Sequence, residues 1–222
     1  MENHNLYKIF AQRLDRDTIL LESESGEQYR FADLDKRSAR IAGELASLGL
    51  KSGDRLSLVA EKSLEFLTIY LACLRSGIIF NPLNPTYTEN ELNFFFSDAE
   101  TNLVISDKAS WGKVRKATVG LPYLKKLLSM DAIEDLDYST ARETTVNVNA
   151  KDDVAALIYS SGTTGTPKGI CISHHNLSSN GLALVDVWNF TKKDCLIHAL
   201  PLYHVHGLFI ILTPALLVGT KI

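Results

Sequence analysis

The sequence predicts an α/β fold built of parallel-rich sheets with helices packed on their faces. Apolar runs of strand length alternate with segments of helical period through most of the chain, which is the pattern of successive βαβ units. The run at 154–159 is apolar without alternation, as expected for a strand that is covered on both faces. The chain has 222 residues, enough to bury most of its apolar surface in one large or two small domains.

The first half of the chain supplies these elements in order. A helical stripe is followed by two glycines that flank its end: Leu34, Ile41, Leu45 and Leu48, then Gly49 and Gly53. A strand is predicted at 55–60 and an apolar helix at 63–75. Thr88 and Glu91 form a capping box that predicts a helix at 89–97, and the next strand follows at 102–106.

Residues 131–152 are acidic and polar and have no strong period. We expect a surface connection there between two subdomains, with a boundary near residue 150. The predicted division is a first α/β subdomain over residues 1–150 and the start of a second subdomain over residues 151–222.

The second part begins with the strand at 154–159, a second strand at 169–173 and a helix at 176–189. His174 and His175 are expected as a partly exposed pair at the start of that helix rather than as metal ligands. The simplest interpretation of Trp188 and Tyr203 is that both are core aromatics.

Charge and cysteine content exclude several classes of function. The net charge of −3 gives no basic surface for nucleic acid. The three cysteines, Cys73, Cys171 and Cys195, are far apart in apolar contexts, so we expect them to be reduced and buried in a cytoplasmic protein. Residues 1–5 are polar without positive charge and show no targeting signal.

Residues 195–220 contain no Asp, Glu, Lys or Arg and are the one candidate membrane segment. Two prolines interrupt the segment, and its densest apolar run, 208–219, is shorter than the roughly 20 residues that a spanning helix needs. We therefore predict a buried core strand and helix there, and no transmembrane segment.

Residues 159–169 combine hydroxyls, glycines and one lysine in a short loop between two strands. Glycines let a backbone approach phosphate oxygens closely, hydroxyls add donors, and a lysine adds charge. The candidate phosphate-binding residues are Ser160, Ser161, Gly162, Thr163, Thr164, Gly165 and Lys168. The alternative is a solvated Gly/Thr turn in a hairpin.

This loop differs from a Walker P-loop. Pro167 stands where that motif has its second glycine, and Gly169 follows Lys168 where a magnesium-binding hydroxyl is required. The loop also leads into a strand rather than a helix, so we expect no helix dipole behind the phosphates.

The loop instead resembles the phosphate-binding signature of the adenylate-forming superfamily, which includes acyl-CoA synthetases, luciferases and peptide-synthetase adenylation domains. Residues 72–77 with 81–85 resemble an early core motif of that family, and residues 200–207 resemble its acyl-pocket motif. The resemblance extends over about residues 10–222. It implies that the chain is the incomplete N-terminal domain of an adenylate-forming enzyme.

The resemblance implies an acid–thiol ligase that uses ATP, Mg²⁺ and coenzyme A. Such an enzyme forms an acyl-adenylate and then an acyl-CoA thioester, with release of pyrophosphate and AMP. The acid is already an anion near neutral pH and needs no general base, so positioning and electrostatics carry the reaction. Thr164 and Lys168 are the expected catalytic residues.

His204 and His206 are the candidate substrate-binding residues. Alternate residues of a strand share a face, which allows a metal site, but zinc would need further ligands, so we predict none; a packed structural role stays open. By resemblance, His204 lines the carboxylate end of the pocket and His206 reaches the acyl group. Residues 200–209 resemble the malonyl-CoA synthetase branch, and an imidazole can donate to a second carboxylate, so malonate or a similar short acid is the expected substrate.

Members of this family continue beyond the region matched here, with adenine, magnesium and ribose motifs and a C-terminal domain that carries a catalytic lysine. We therefore expect an N-terminal fragment that is itself inactive, with an unpaired strand beginning after Gly219. The alternatives are an enzyme that adenylates a medium-chain fatty, aryl or amino acid, and a non-catalytic truncated nucleotide-binding protein.

Overall fold

A computed structural model describes residues 3–140, 145–160 and 166–222. Its strands are β1 (Ile19–Glu22), β2 (Gln28–Arg30), β3 (Arg55–Val59), β4 (Ile79–Leu83), β5 (Leu103–Ser106), β6 (Lys126–Ser129), β7 (Val154–Ser160) and β8 (Lys168–Ser173). Its α-helices are α1 (Leu6–Arg13), α2 (Phe31–Ser47), α3 (Leu64–Ser76), α4 (Glu89–Asp98), α5 (Trp111–Ala117), α6 (Asp131–Glu134), α7 (His174–Trp188) and α8 (Thr213–Val218). A 3₁₀ turn spans Tyr138–Thr140, and a π-helix spans His206–Leu212.

The centre of the fold is a mainly parallel sheet with the strand order β6-β5-β3-β4-β7-β8. The pairs up to β4 and β7 are parallel, whereas β7 and β8 form an antiparallel hairpin. A separate antiparallel ribbon, β1 with β2, was not predicted from the sequence. The α/β fold class is confirmed. Strands from both sides of residue 150 belong to this one sheet: β3 to β6 precede that residue, and β7 and β8 follow it. The predicted division into two subdomains near residue 150 stays a prediction.

The observed helix starts agree with the predicted ones because the residues that cap a helix lie within a few positions of its start. Ser63 caps α3 by accepting a hydrogen bond from the Phe66 amide at 3.1 Å, and Thr88 with Glu91 forms the predicted capping box of α4. Helix α7 begins at His174, two residues before the predicted start, because Ser173 serves as its N-cap. The strands predicted at 55–60, 102–106, 154–159 and 169–173 agree with the observed ones to within a residue at each end.

Two apolar clusters cover the faces of the sheet. The larger one contains α3 and is organised around Phe80, whose ring centroid lies 5.7 Å from that of Phe66 and 5.3 Å from that of Tyr70. The smaller one lies under α4 and α5 and includes Val59 and Leu83. Because these clusters use alternate residues of β3 and β4, both faces of the central strands are buried.

A polar cluster joins the first three helices inside the larger core. The Tyr7 hydroxyl donates to the Asp35 carboxylate at 2.5 Å, and Arg75 of α3 pairs with the same carboxylate. The Arg75 guanidinium also lies over the Tyr7 ring, 4.3 Å from its centroid. A buried charge needs such partners, and here they fix the packing of the 72–77 motif.

Three residues are more exposed than the sequence predicted. Cys73 is buried, but Cys171 and Cys195 are exposed, so their predicted burial is wrong. Trp188 is 44% exposed and is not a core residue, because it ends α7 beyond the part that packs on the core. Tyr203 is partly buried against the larger cluster.

The segment 195–222 departs from its predicted strand and helix. Cys195 joins Lys221 only through an isolated parallel bridge, and the buried part is the π-helix followed by α8. The Ile222 amide donates to Leu20 of β1 at 2.8 Å, so the predicted unpaired strand after Gly219 is wrong. Among the described residues, no helix has both the length and the apolar character needed to cross a bilayer.

Candidate functional site

The parallel strands β3, β4, β5 and β7 end at one edge of the sheet. In open α/β sheets, ligands bind outside this carboxyl edge. The loops after β3 and β5 are joined there, because the Glu61 amide donates to the Asp107 carboxylate at 3.1 Å. The loop predicted to bind phosphate follows β7 at the same edge.

That loop connects the two strands of the β7–β8 hairpin. Ser160 and Lys168 are direct partners across the hairpin, and both side chains are exposed. The prediction that the loop leads into a strand is confirmed, and β7 and β8 form the hairpin that the alternative interpretation assumed. The other candidates, Ser161, Gly162, Thr163, Thr164 and Gly165, lie outside the described residues.

Tyr159 ties the base of this hairpin to α4. Its hydroxyl donates to the Asp98 carboxylate at 2.8 Å, and its ring packs 4.6 Å from the ring of Phe95. Burial raises the pKa of the Tyr159 phenol, and the nearby Asp98 carboxylate adds to this effect. The phenol therefore stays protonated and can donate at any ordinary pH.

The acyl-pocket motif forms a turn that enters the π-helix. His204 lies in a bend and His206 is the first residue of the π-helix, so the two do not alternate along a strand as the metal alternative assumed. Their exposed rings stack, with centroids 5.3 Å apart and an interplanar angle of 26°. Within the described ranges, no group of three or more His, Cys, Asp or Glu residues is arranged to hold a metal ion.

Electrostatic interactions connect this motif to the carboxyl edge of the sheet. Burial raises the pKa of Tyr203, and the Glu61 carboxylate adds to the shift. Burial also raises the pKa of Tyr87, and the negative charges of Glu91 and ionised Tyr203 raise it further. The Lys62 ammonium, three residues after β3, donates to the carbonyl of His198, whose ring contacts Gly207 of the motif, so the motif is linked to the loop after β3 at the carboxyl edge.

Two clefts lie near the predicted residues, and neither is lined by both Lys168 and the His204–His206 pair. A cleft of about 490 Å³ beside α4 is lined by Lys168, with Asp98, Gly169 and Cys171 among its other residues. A second cleft of about 510 Å³ lies between the β1–β2 ribbon and α3 and is lined by Lys62 and His198. Neither His204 nor His206 lines either cleft.

The two histidines at the start of α7, His174 and His175, differ in their burial. His175 is exposed as predicted, but His174 is fully buried and accepts a hydrogen bond from the Leu6 amide at Nδ1, 3.1 Å away. Burial lowers the pKa of His174 to about 4. His174 is therefore a neutral structural link between α1 and α7.

Sequence reasoning missed Lys62 and His198. The Lys62 ammonium donates to the His198 carbonyl at 2.6 Å, and the His198 ring contacts the Gly207 carbonyl within the acyl-pocket motif. An isolated histidine in an apolar run gives no pattern that would single it out.

Comparison with known proteins shows which family the chain matches. The family profile described as "AMP-binding enzyme" matches residues 9–222. A 4-coumarate–CoA ligase, CCL1 of Humulus lupulus, is 36% identical over 97% of this chain and 41% of its own length. The mitochondrial malonate–CoA ligase ACSF3 of Xenopus laevis is 32% identical over 69% of this chain and 27% of its own length.

Solved structures show the same likeness. Apo MatB from Rhodopseudomonas palustris superimposes with a TM-score of 0.90 at 36% identity, over 99% of this chain and 44% of that one. The chain thus spans about two fifths of the length of the Humulus lupulus ligase and of MatB.

Proposed function

Since this chain belongs to the AMP-binding enzyme family, we propose that it provides the phosphate-binding and acid-binding residues of an ATP-dependent carboxylate–CoA ligase. Two positions relative to the sheet support the proposal: the β7–β8 hairpin, with Ser160 opposite Lys168, follows the carboxyl end of β7, and the turn with the His204–His206 pair is linked through His198 and Lys62 to the loop after β3. The substrates would be ATP, a small carboxylic acid and coenzyme A.

In this proposal the protein acts by placement and charge. The acid attacks the α-phosphorus of ATP as a carboxylate and pyrophosphate leaves, so no base has to remove a proton. The Lys168 ammonium and the hydroxyls and amides of the loop, including Thr164, would offset the negative charge of the phosphates. Magnesium would accompany ATP; because the described residues contain no cluster of metal ligands, we assign it no step.

For the acid, we propose malonate or a similarly short acid. His204 would face the reacting carboxylate and His206 would donate to the second one. The relative named as a malonate–CoA ligase supports this choice. The relatives named as 4-coumarate–CoA ligases favour an aryl acid as the second candidate, because one of them is matched over nearly the whole chain.

The first test is ATP binding by the 222-residue chain, measured by titration calorimetry with magnesium present. We expect Lys168→Met to weaken binding about 10-fold, since a hydrogen bond to a charged group contributes roughly 1.5–3 kcal/mol and Lys168 is exposed. Lys36→Met is the matched control, because Lys36 is an exposed lysine of α2 far from the loop in sequence. Equal affinities of the two variants would contradict the proposed role of Lys168.

The second test separates the acids. Malonate, butyrate and 4-coumarate are titrated against the chain saturated with a non-hydrolysable ATP analogue. Preferential binding of malonate supports the short dicarboxylate, and preferential binding of 4-coumarate supports the aryl acid. ATP binding without binding of any acid would favour the non-catalytic nucleotide-binding alternative.

A further inference from the structure

We propose that His198 is a positioning residue that holds the acyl-pocket turn (residues 200–207) in place. The effect of His198 on acid binding rests on the proposed function, whereas the effect of His198 on the shape of the turn does not. The turn contains the His204–His206 pair between Pro201 and Gly207, so whatever fixes those two ends fixes the pair.

The ring of His198 is attached to one end of the turn. Its Nε2 atom lies 3.0 Å from the carbonyl oxygen of Gly207. A carbonyl oxygen can only accept, so Nε2 must carry the hydrogen. The other ring nitrogen, Nδ1, is buried and has no hydrogen-bond partner within the part of the chain that the structure describes. The contact with Gly207 therefore sets the tautomer.

The backbone of His198 is attached to the sheet. The Lys62 ammonium donates to the His198 carbonyl oxygen at 2.6 Å. Lys62 lies three residues after β3, at the carboxyl edge. The main chain of His198 is thus held by a residue at the sheet edge, and its ring is held by the turn. Through these two contacts, His198 fixes the position of the turn relative to the sheet edge.

The turn itself is closed by close backbone contact. A Cβ atom at Gly207 would lie 2.1 Å from the Pro201 carbonyl oxygen, so only glycine permits this approach. At the end of the turn, the amide of the next residue, Leu208, donates to the His204 carbonyl at 3.0 Å. Because the two ends touch, a displacement of Gly207 moves both exposed imidazoles. Loss of the His198 hydrogen bond should therefore disturb the His204–His206 stack.

The histidine can be replaced in two informative ways. His198→Gln retains an N–H donor that can reach the Gly207 carbonyl, whereas His198→Leu retains apolar volume and loses the donor. A purely space-filling role predicts that leucine preserves the turn. A positioning role predicts that glutamine preserves it and leucine does not.

The decisive measurement on the wild-type chain is a long-range ¹H–¹⁵N correlation spectrum of the histidine rings at neutral pH. We expect His198 in the Nε2–H form, and the Nδ1–H form would overturn the proposal. This measurement needs no variant, so it decides even if a substituted chain fails to fold.

The variants supply the second measurement. We expect the nuclear Overhauser contact between the His204 and His206 rings in wild type and His198→Gln, and its loss in His198→Leu, while the far-ultraviolet spectrum stays unchanged. Malonate affinity should fall about 5-fold in His198→Leu and recover in His198→Gln, as expected for one neutral hydrogen bond. An intact ring contact in His198→Leu would overturn the proposal. If the wild-type chain binds no malonate, the proposed substrate is wrong, and the tautomer and ring contact still decide the role of His198.

Discussion

The hydroxyl of Tyr159 lies 2.8 Å from the carboxylate of Asp98, which ends α4. Tyr159 is the residue before Ser160, where the described part of β7 stops. The hydrogen bond therefore attaches the strand that leads into the predicted phosphate loop to a helix on the face of the sheet.

Tyr159→Phe should lower the free energy of unfolding by about 1 kcal/mol. A hydrogen bond to a charged group contributes roughly 1.5–3 kcal/mol, and the exposure of Asp98 reduces that contribution. Urea unfolding followed by circular dichroism measures the change. Tyr123→Phe is the control, because Tyr123 is 50% exposed and its hydroxyl has no hydrogen bond among the described residues. Similar losses in the two variants would show that the Asp98 contact is not the cause.

Gly207→Ala should destabilise the protein by about 2–3 kcal/mol. The added Cβ would lie 2.1 Å from the Pro201 carbonyl, and this clash is with backbone that must move to relieve it. Gly112→Ala is the matched control, since a Cβ there meets nothing within 4 Å. Gly112 lies in α5, where alanine is expected to be neutral or to stabilise by up to about 1 kcal/mol. Equal unfolding midpoints for the two variants would contradict the close approach.

His174 should make stability depend on pH. Burial lowers its folded-state pKa to about 4, from an ordinary value near 6.5, while Asp153 opposes the shift. The unfolded chain binds the proton more readily, so the stabilisation is complete above the unfolded pKa and is lost as pH falls toward the folded one. Between pH 7 and pH 5 the loss should be about 2 kcal/mol.

His174→Gln provides the comparison for this pH effect. Glutamine can still accept from the Leu6 amide but does not titrate, so its unfolding free energy should fall less between pH 7 and pH 5. His175→Gln alters the exposed neighbour and should keep the wild-type slope. Parallel curves for wild type and His174→Gln would show that another group is responsible.

His206→Phe should weaken malonate binding about 10-fold and leave butyrate binding nearly unchanged. A hydrogen bond to a second carboxylate contributes roughly 1.5–3 kcal/mol, with the lower end expected for an exposed side chain. Titration of both acids against the 222-residue chain measures the difference. His175→Phe, at an exposed histidine of α7, should change neither affinity. A uniform decrease for both acids would remove the main support for a dicarboxylate.

The fold could be predicted where the controlling interactions are local. The Thr88–Glu91 box places α4 correctly because both partners lie within one helical turn. The apolar run at 154–159 predicts β7 for a similar reason. The β1–β2 ribbon escaped prediction because both strands are too short to show a period: β1 has three apolar residues followed by Glu22, and β2 has only three residues, two of them polar or charged.

The candidate site could be predicted only in part. Its residue types and their order along the chain are visible in the sequence, but burial depends on neighbours that are distant in sequence. Cys171 lies in a strand with apolar neighbours and is nevertheless exposed, whereas His174 is polar and fully buried. The π-helix at His206 has no sequence period that distinguishes it from a strand or an α-helix over so few residues.

Folding kinetics should reflect the pairing between the β1–β2 ribbon and residues 221–222. Lys221 and Glu22 are 199 positions apart in sequence and form an ion pair of 3.1 Å, and Ile222 exchanges two backbone hydrogen bonds with Leu20 and Glu22. Contacts between residues so far apart in sequence form only after the chain has lost much conformational entropy, and such contacts slow folding. During synthesis the ribbon is made early, whereas its partner residues follow 199 positions later, so the edge of β1 stays open until they are made.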